Sequence, residues 1–302
     1  MHRREFLGAF GAGLGVFGAG CLGDSEESPP ISDERIRLAT TTSTYDTGLL
    51  DELNDAFGSR FGTDIQTVAQ GTGAALATGR AGDADAVLVH ARELEDAFID
   101  EGDGINRRAL MYNDYVLVGP TDDPADIGDD EEVERAFGQI KESESVFISR
   151  GDNSGTHAKE REIWGMIDME PVGEWYRETG SGMGEVLTQA SMSPGYTLVD
   201  RATYLTREDD IELEILLDGP IEGGPSLLHN SYGIIAVNPR KHPNVNYDLA
   251  MAYIGFLTSH DGQETIADYT VNGEQLFYPD AITDGPEFEQ YVPADWKPED
   301  TG

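Results

Sequence analysis

The sequence predicts an α/β protein in which mostly parallel sheets are flanked by helices. Short apolar strands alternate with segments whose apolar residues recur at helical spacing, which is typical of a layered α/β fold. The chain has 302 residues, of which 38% are hydrophobic, and this is enough for one large or two medium domains. Turns rich in hydroxyl side chains follow several strands, and such sheets bind ligands at the carboxyl ends of their strands.

Three units of strand, turn and helix fill the first part of the chain. Their strands are predicted at residues 36–39, 65–69 and 84–90. The hydroxyl cluster Thr40–Thr44 follows the first strand and precedes a helix that includes Leu49, while Gly71-Thr72-Gly73 turns into the second helix. A third helix is predicted from Arg92 to about Glu101. A dinucleotide-binding turn would need glycine where Leu76 stands, so that function is excluded.

The central motif is Ser149–His157, which reads SRGDNSGTH. An apolar run at 145–148 predicts a short strand before it, and residues 158–166 have the composition of a helix after it. The start of a helix presents unpaired backbone N–H groups and a partial positive charge, both of which favour an anion. Further donors come from Arg150, Ser154 and Thr156. The alternative is an ordinary capped helix whose arginine forms an ion pair.

Two apolar strands, at 115–119 and 232–239, resemble each other and are predicted to carry the chain between two lobes. The predicted boundaries place 34–119 and 230–302 in lobe 1, and 120–229 in lobe 2. Between and after the crossovers, strands are expected at 196–199 and 211–215, and helices at 248–257 and 262–269.

The charge balance is strongly acidic. Lys and Arg number 20 against 58 Asp and Glu, for a net charge of −38. This charge excludes a nucleic-acid-binding protein, because such proteins need a basic surface. The regular element pattern argues against an acidic disordered chain, so we expect adaptation to high salt, where screening relieves self-repulsion.

The N-terminus predicts export and anchoring. Arg3-Arg4 precedes a Gly-rich apolar run that is too short to span a membrane, which is typical of a twin-arginine signal. The single cysteine, Cys21, follows Gly18-Ala19-Gly20 in a lipobox-like setting, so we expect it to carry a lipid; a buried structural cysteine is the alternative. We therefore expect a signal peptide at 1–20 and a lipidated tether at 21–33.

Several motifs together closely resemble the tungstate-binding component of ABC transporters, the TupA type, within the type II periplasmic-type solute-binding proteins. The match runs from about Leu38 to Tyr278, and Asn153 stands where the family usually has Asp. The motifs that carry it are Thr40-Thr41-Thr42-Ser43-Thr44, Gly71-Thr72-Gly73, Gly82-Asp83-Ala84-Asp85 with His90-Ala91-Arg92, Asn106-Arg107-Arg108 with Met111-Tyr112-Asn113-Asp114, and the central motif.

The resemblance implies a two-lobed fold with the ligand in the cleft between the lobes. Tungstate, a tetrahedral dianion, needs donors from several sides. The residues expected to bind it are Thr42, Ser43, Thr72, Arg150, Ser154 and Thr156. Those expected behind them are Thr41, Arg92, Asp152 and His157, with Asp152 orienting Arg150 and pointing away from the anion. The implied protein is a monomeric lipoprotein on the outer face of the membrane, without cofactor or metal, that serves an ABC permease.

Other functions remain open at this point. Molybdate or phosphate capture is the nearest alternative, because molybdate nearly matches tungstate in size and charge. A hydrolase using Ser154 and His157 is a second, although the motif does not spell G-x-S-x-G. The histidines are scattered without the spacing of metal ligands.

Overall fold

The computed structural model of the protein describes residue 31 and residues 34–128, 132–152 and 154–282. The predicted signal peptide, Cys21 and most of the tether lie outside the described residues, as does Asn153. Within the described part of the chain, no helix is both long enough and apolar enough to cross a membrane.

Lobe 1 is built from both ends of the described chain. Its first elements are β1 (Arg35–Thr41), α1 (Thr42–Tyr45), α2 (Leu49–Phe61), β2 (Asp64–Gln70), α3 (Thr72–Arg80), β3 (Ala86–Val89) and α4 (Arg92–Asp100). The long strand β4 (Gly104–Gly119) then leads into lobe 2.

Lobe 2 contains shorter elements. They are α5 (Val133–Glu142), β5 (Phe147–Ser149), α6 (Gly155–Met166), β6 (Tyr176–Glu178), α7 (Met183–Met192), β7 (Thr197–Asp200), α8 (Arg201–Leu205) and β8 (Glu214–Leu217). The chain returns to lobe 1 on β9 (His229–Val237), followed by α9 (Tyr247–Leu257), α10 (His260–Asp268), β10 (Thr270–Val271), β11 (Glu274–Gln275) and β12 (Tyr278–Pro279).

The two lobes share β4. Its first part, Gly104–Asp114, pairs antiparallel with β9, and its last part, from Tyr115 onward, pairs with β7 and β8. In lobe 1 the order is β2-β1-β3-β9-β4-β12, with β1 parallel to β2 and β3. The partners of β4 therefore change from those of lobe 1 to those of lobe 2 between Asp114 and Tyr115. The residue boundaries given for the lobes in the sequence analysis stay a prediction.

Each lobe has its own apolar core. In lobe 1, Phe57 and Tyr253 pack on one face of the sheet, and Phe98 packs with Ile235 on the other. In lobe 2, Trp164 is fully buried, with ring centroids 4.6 Å from Phe137 and 5.5 Å from Phe147. These clusters hold the strand ends that face the cleft.

The predicted two-lobed α/β class is confirmed, with a more mixed strand pairing than the alternation suggested. Strand β9 pairs antiparallel with β3 and β4, and β12 pairs antiparallel with β4. These strands run opposite to their partners because the chain returns to lobe 1 from the opposite direction. The strand predicted at 211–215 begins later, at Glu214, because a short 3₁₀ turn and an irregular stretch precede it. The central helix begins at Gly155, ahead of the stretch 158–166 that has helix-forming composition, because Ser154 caps it.

Candidate oxyanion-binding site

Three helices begin where strands end, and their first residues meet in the cleft. In lobe 1, α1 follows β1 without a break, and α3 begins at Thr72 just after β2. In lobe 2, α6 begins at Gly155 after the turn that follows β5. Because helix starts offer unpaired N–H groups, this arrangement aims donors from both lobes at one region.

The hydroxyl cluster of lobe 1 is ordered by its own hydrogen bonds. Thr41 caps α1, where its Oγ1 accepts the Thr44 N–H at 3.2 Å and lies 2.6 Å from Thr44 Oγ1. Ser43 is buried, with its Oγ 3.2 Å from Thr41 Oγ1. Thr42 is partly exposed beside them. Thr41 thus positions Ser43, one of the residues that were predicted to bind the ligand.

Thr72 joins the two lobes. Its side chain is fully buried, and its Oγ1 accepts the Gly155 N–H at 3.1 Å. A Cβ on Gly155 would approach both the His90 carbonyl oxygen and His90 Cε1 to 3.0 Å. The lobes can therefore meet this closely because residue 155 is glycine.

Arg150 and Asp152 form a pair in the turn before α6. The buried guanidinium donates to Asp152 Oδ2 through Nη2 at 2.6 Å and Nε at 3.1 Å, which is the pairing expected from sequence. Asp152 Oδ1 accepts the Ser154 N–H at 3.0 Å. Burial opposes ionisation of Asp152, but the charge of Arg150 and the bonds from Ser154 outweigh it, so the pKa of the carboxyl is lowered. The ionised Asp152 carboxylate therefore holds the Arg150 guanidinium in place.

Thr156 has a buried hydroxyl without a hydrogen-bond partner among the described residues. The residue is 1% exposed and is the second residue of α6. Ser154, which is buried beside it, caps the helix by accepting the His157 N–H at 3.3 Å. An unpaired buried hydroxyl costs stability, so Thr156 marks a position where a ligand acceptor would be favourable.

Two residues that were predicted to lie behind the ligand-binding residues are close to carboxylates outside that set. Arg92 donates to Asp96 at 2.8 Å, one turn further along α4. His157 is mostly buried, and its Nε2 lies 3.8 Å from Glu178 Oε1. Burial lowers the pKa of His157 more than Glu178 raises it.

Glu160 supports the central turn and was not predicted from sequence. It is buried and accepts from Ser149 Oγ at 2.7 Å, Tyr176 OH at 2.7 Å and Trp164 Nε1 at 3.2 Å. Ser149 Oγ also accepts the Gly151 N–H at 3.3 Å. Burial raises the pKa of Glu160 to about 7, although its three donors oppose the shift. The carboxyl group thus ties β5, β6 and α6 together beneath Arg150.

His90 is a second residue whose position sequence reasoning missed. It follows β3 at the same sheet edge as the hydroxyl turns, is 5% exposed, and its Nε2 lies 3.5 Å from Ser43 Oγ. The sequence signal that could have found it was its place at the carboxyl end of a predicted strand, where functional side chains of α/β sheets collect.

Comparison with known proteins identifies the class. The model of the PBP superfamily domain matches residues 25–261, so the chain belongs to that superfamily. A protein of Haloferax volcanii, provisionally assigned as an anion-binding protein of an ABC transporter, is 51% identical over 98% of this chain and 91% of its own.

The relatives also define the type within the class. Tungstate-binding protein TupA of Peptoclostridium acidaminophilum is 42% identical over 82% of this chain and 86% of its own. The crystal structure of the tungstate ABC transporter from Geobacter sulfurreducens is 46% identical, covers 79% of this chain and all of that one, and superposes with a TM-score of 0.72. The predicted resemblance is confirmed, and the chain belongs to the TupA type.

Proposed function

We propose that this protein captures tungstate between its two lobes and delivers it to the permease of an ABC importer. The observation that carries the proposal is the buried hydroxyl of Thr156, which has no hydrogen-bond partner among the described residues and stands at the start of α6, where Gly155 meets Thr72 of lobe 1. Two relatives of the TupA type are named tungstate-binding proteins. No catalytic step is part of this function, and no cofactor or metal is needed.

Each lobe supplies part of the binding set. Lobe 1 contributes Thr42, Ser43 and Thr72, and lobe 2 contributes Arg150, Ser154 and Thr156. Hydroxyls and backbone N–H groups suit all four oxygens of a tetrahedral anion, because each can donate along a different direction. Closure of the lobes would enclose the anion and exclude water. The hydrogen bond between Thr72 and Gly155 is one contact that joins the two lobes.

The position of Asp152 favours a fully deprotonated anion. A carboxylate facing the ligand would accept a hydrogen bond from the O–H group of a protonated oxyanion such as hydrogen phosphate. Both oxygens of Asp152 already accept bonds, from Arg150 and from the Ser154 N–H. Tungstate and molybdate, which carry no proton at neutral pH, therefore fit better than phosphate, and molybdate remains the second candidate.

The direct test is calorimetry in molar potassium chloride with tungstate, molybdate, phosphate and sulfate. We expect tungstate to bind with a dissociation constant of about 1 µM or tighter, corresponding to roughly −8 kcal/mol. Sulfate should give no measurable heat of binding. Equal affinities for phosphate and tungstate would contradict the assignment.

We also propose that the mature protein is anchored outside the cell membrane through Cys21, after export directed by Arg3-Arg4. These residues lie outside the described part of the chain, and the argument rests on their sequence pattern. Anchoring would hold the protein near its permease at high effective concentration, and firm anchoring needs a second acyl chain or other contact. Adaptation to high salt and a monomeric state stay predictions.

Replacing Cys21 with serine should release the protein from the membrane fraction or leave it unprocessed, with anion affinity unchanged. Cell fractionation and mass spectrometry of the N-terminus distinguish these outcomes. A Cys21→Ser protein that stays membrane-bound with a normally cleaved N-terminus would rule out the lipid anchor.

A further inference from the structure

We propose that His90 takes up a proton when the anion binds, and that the imidazolium then donates to Ser43 and offsets part of the ligand's charge. The inference rests on the proposed function, because it requires Ser43 to face a bound oxyanion. The proton comes from solvent and is added to Nε2; no other bond is made or broken.

The hydrogen bonds around His90 determine which ring nitrogen carries the proton in the empty protein. Asn230 Nδ2 donates to Asn113 Oδ1 at 2.7 Å and to Tyr232 OH at 3.1 Å, so its Oδ1 is the atom facing His90 Nδ1 at 3.0 Å. Nδ1 must therefore be the protonated nitrogen, with Tyr115 OH also 3.1 Å away. The ring stacks on Tyr232, at 4.7 Å between centroids and 21° between planes. A neutral His90 consequently has an unprotonated Nε2.

That bare Nε2 faces Ser43. The distance from Nε2 to Ser43 Oγ is 3.5 Å, so a neutral ring can accept a hydrogen bond from the Ser43 hydroxyl. When an oxyanion draws the hydroxyl proton toward itself, lone pairs of Ser43 Oγ and Nε2 face each other. Protonation of Nε2 replaces this repulsion with a charge-assisted N–H···O bond and leaves Ser43 free to donate to the anion.

Charge balance favours the same step. Arg150 is already paired with Asp152, so together they bring no net charge to a dianion. Burial most strongly lowers the pKa of His90 in the empty protein and Arg150 adds to this effect, while Asp200 and the Asn230 bond oppose it. A nearby dianion reverses the balance by favouring the imidazolium. His90 is thus neutral without ligand and able to charge with it.

The other groups that surround His90 carry both signs. On the elements packed against the ring these are Asp200, Arg150, Tyr115 and Tyr232. His90 also lines a cavity of about 380 Å³ between the lobes, through which water can bring a proton. The charged and titratable groups around that cavity are Arg92, Glu93, Lys159, Glu162 and His229. Arg92 and Lys159 are paired with Asp96 and Glu162, so they leave little net positive charge to replace a proton on His90.

The test is tungstate calorimetry at pH 7.5 in molar potassium chloride, using two buffers that differ in ionisation enthalpy. The dependence of the binding heat on the buffer gives the number of protons taken up. We expect the parent to take up a proton fraction approaching one per anion and His90→Gln to take up markedly less. The matched control His229→Gln, a histidine on the same cavity, should take up as much as the parent. Equal uptake by the parent and His90→Gln, with both binding tungstate, overturns the proposal.

A second measurement keeps the proposal testable if His90→Gln does not fold. Because the complex binds an extra proton, tungstate affinity should fall as pH rises between the His90 pKa of the empty protein and that of the complex, by up to about tenfold per pH unit. Glu160, another buried proton acceptor, is tested separately, and the slope should persist in Glu160→Gln. Loss of the slope in that variant would transfer the role to Glu160. Failure of the parent to bind tungstate at all would instead contradict the proposed function, on which this inference depends.

Discussion

Replacing Arg150 with alanine should weaken tungstate binding by about ten- to hundredfold, and this is the largest effect we expect from one substitution in the cleft. A charge-assisted hydrogen bond lost from a buried site costs roughly 1.5–3 kcal/mol, which corresponds to that change in affinity. Arg150 is 3% exposed, so water cannot readily replace it. Its loss also leaves the Asp152 carboxylate unneutralised beside an anion. Calorimetry in molar potassium chloride measures the change directly.

Two further variants separate charge from geometry. Arg150→Lys keeps the charge but not the forked donor array, so its affinity should fall between those of the parent and Arg150→Ala. Arg161→Ala is the matched control, because Arg161 lies on the neighbouring helix α6 but pairs with Glu170 at 3.1 Å. It should bind like the parent. Loss of binding in Arg92→Ala together with parental binding in Arg150→Ala would show that the arginines were assigned wrongly.

The strand–turn–helix units could be predicted because their signals are local. Apolar periodicity located β1, β2 and β3, and the cluster Thr40–Thr44 and the turn at Gly71 marked the helix starts that follow β1 and β2. These signals need no knowledge of the rest of the fold. The pairing partners of β9 and β12 were not predictable in the same way, since they depend on how the chain returns from lobe 2.

The residues of the candidate site likewise differ in whether local sequence or distant contacts determine their roles. Thr72, Arg150 and Thr156 lie in helix starts or the turn before one, where their donors are evident from sequence, and the structure brings them to the cleft. Glu160 and His90 gain their roles from partners far along the chain: Tyr176 for the first, and Asn230 and Ser43 for the second. In sequence, Glu160 is one of many acidic residues on helices, and only its burial distinguishes it. Such groups are found from tertiary contacts, not from spacing.

Glu160→Gln should change how stability depends on pH. Burial raises the pKa of Glu160 from its ordinary 4.5 to about 7, so the folded protein holds this proton more tightly than the unfolded chain. The resulting stabilisation is full below pH of about 4.5 and is lost as pH rises to about 7. The loss corresponds to roughly 3 kcal/mol, at 1.36 kcal/mol per pKa unit. Glutamine has nearly the same shape and does not ionise, so the variant lacks this loss.

Urea unfolding in molar potassium chloride at pH 4.5 and pH 8 measures the effect. Titration of the other carboxyl groups is common to parent and variant and cancels when their free energies of unfolding are subtracted. We expect that difference to shift by about 3 kcal/mol in favour of Glu160→Gln between the two pH values. Glu160→Leu removes the charge and also leaves the donors of Ser149, Tyr176 and Trp164 without an acceptor, so it should be less stable than Glu160→Gln at both pH values. A difference between Glu160→Gln and the parent that does not change with pH would mean that the pKa of Glu160 in the folded protein is not raised above that in the unfolded chain. Its three hydrogen bonds would then offset its burial.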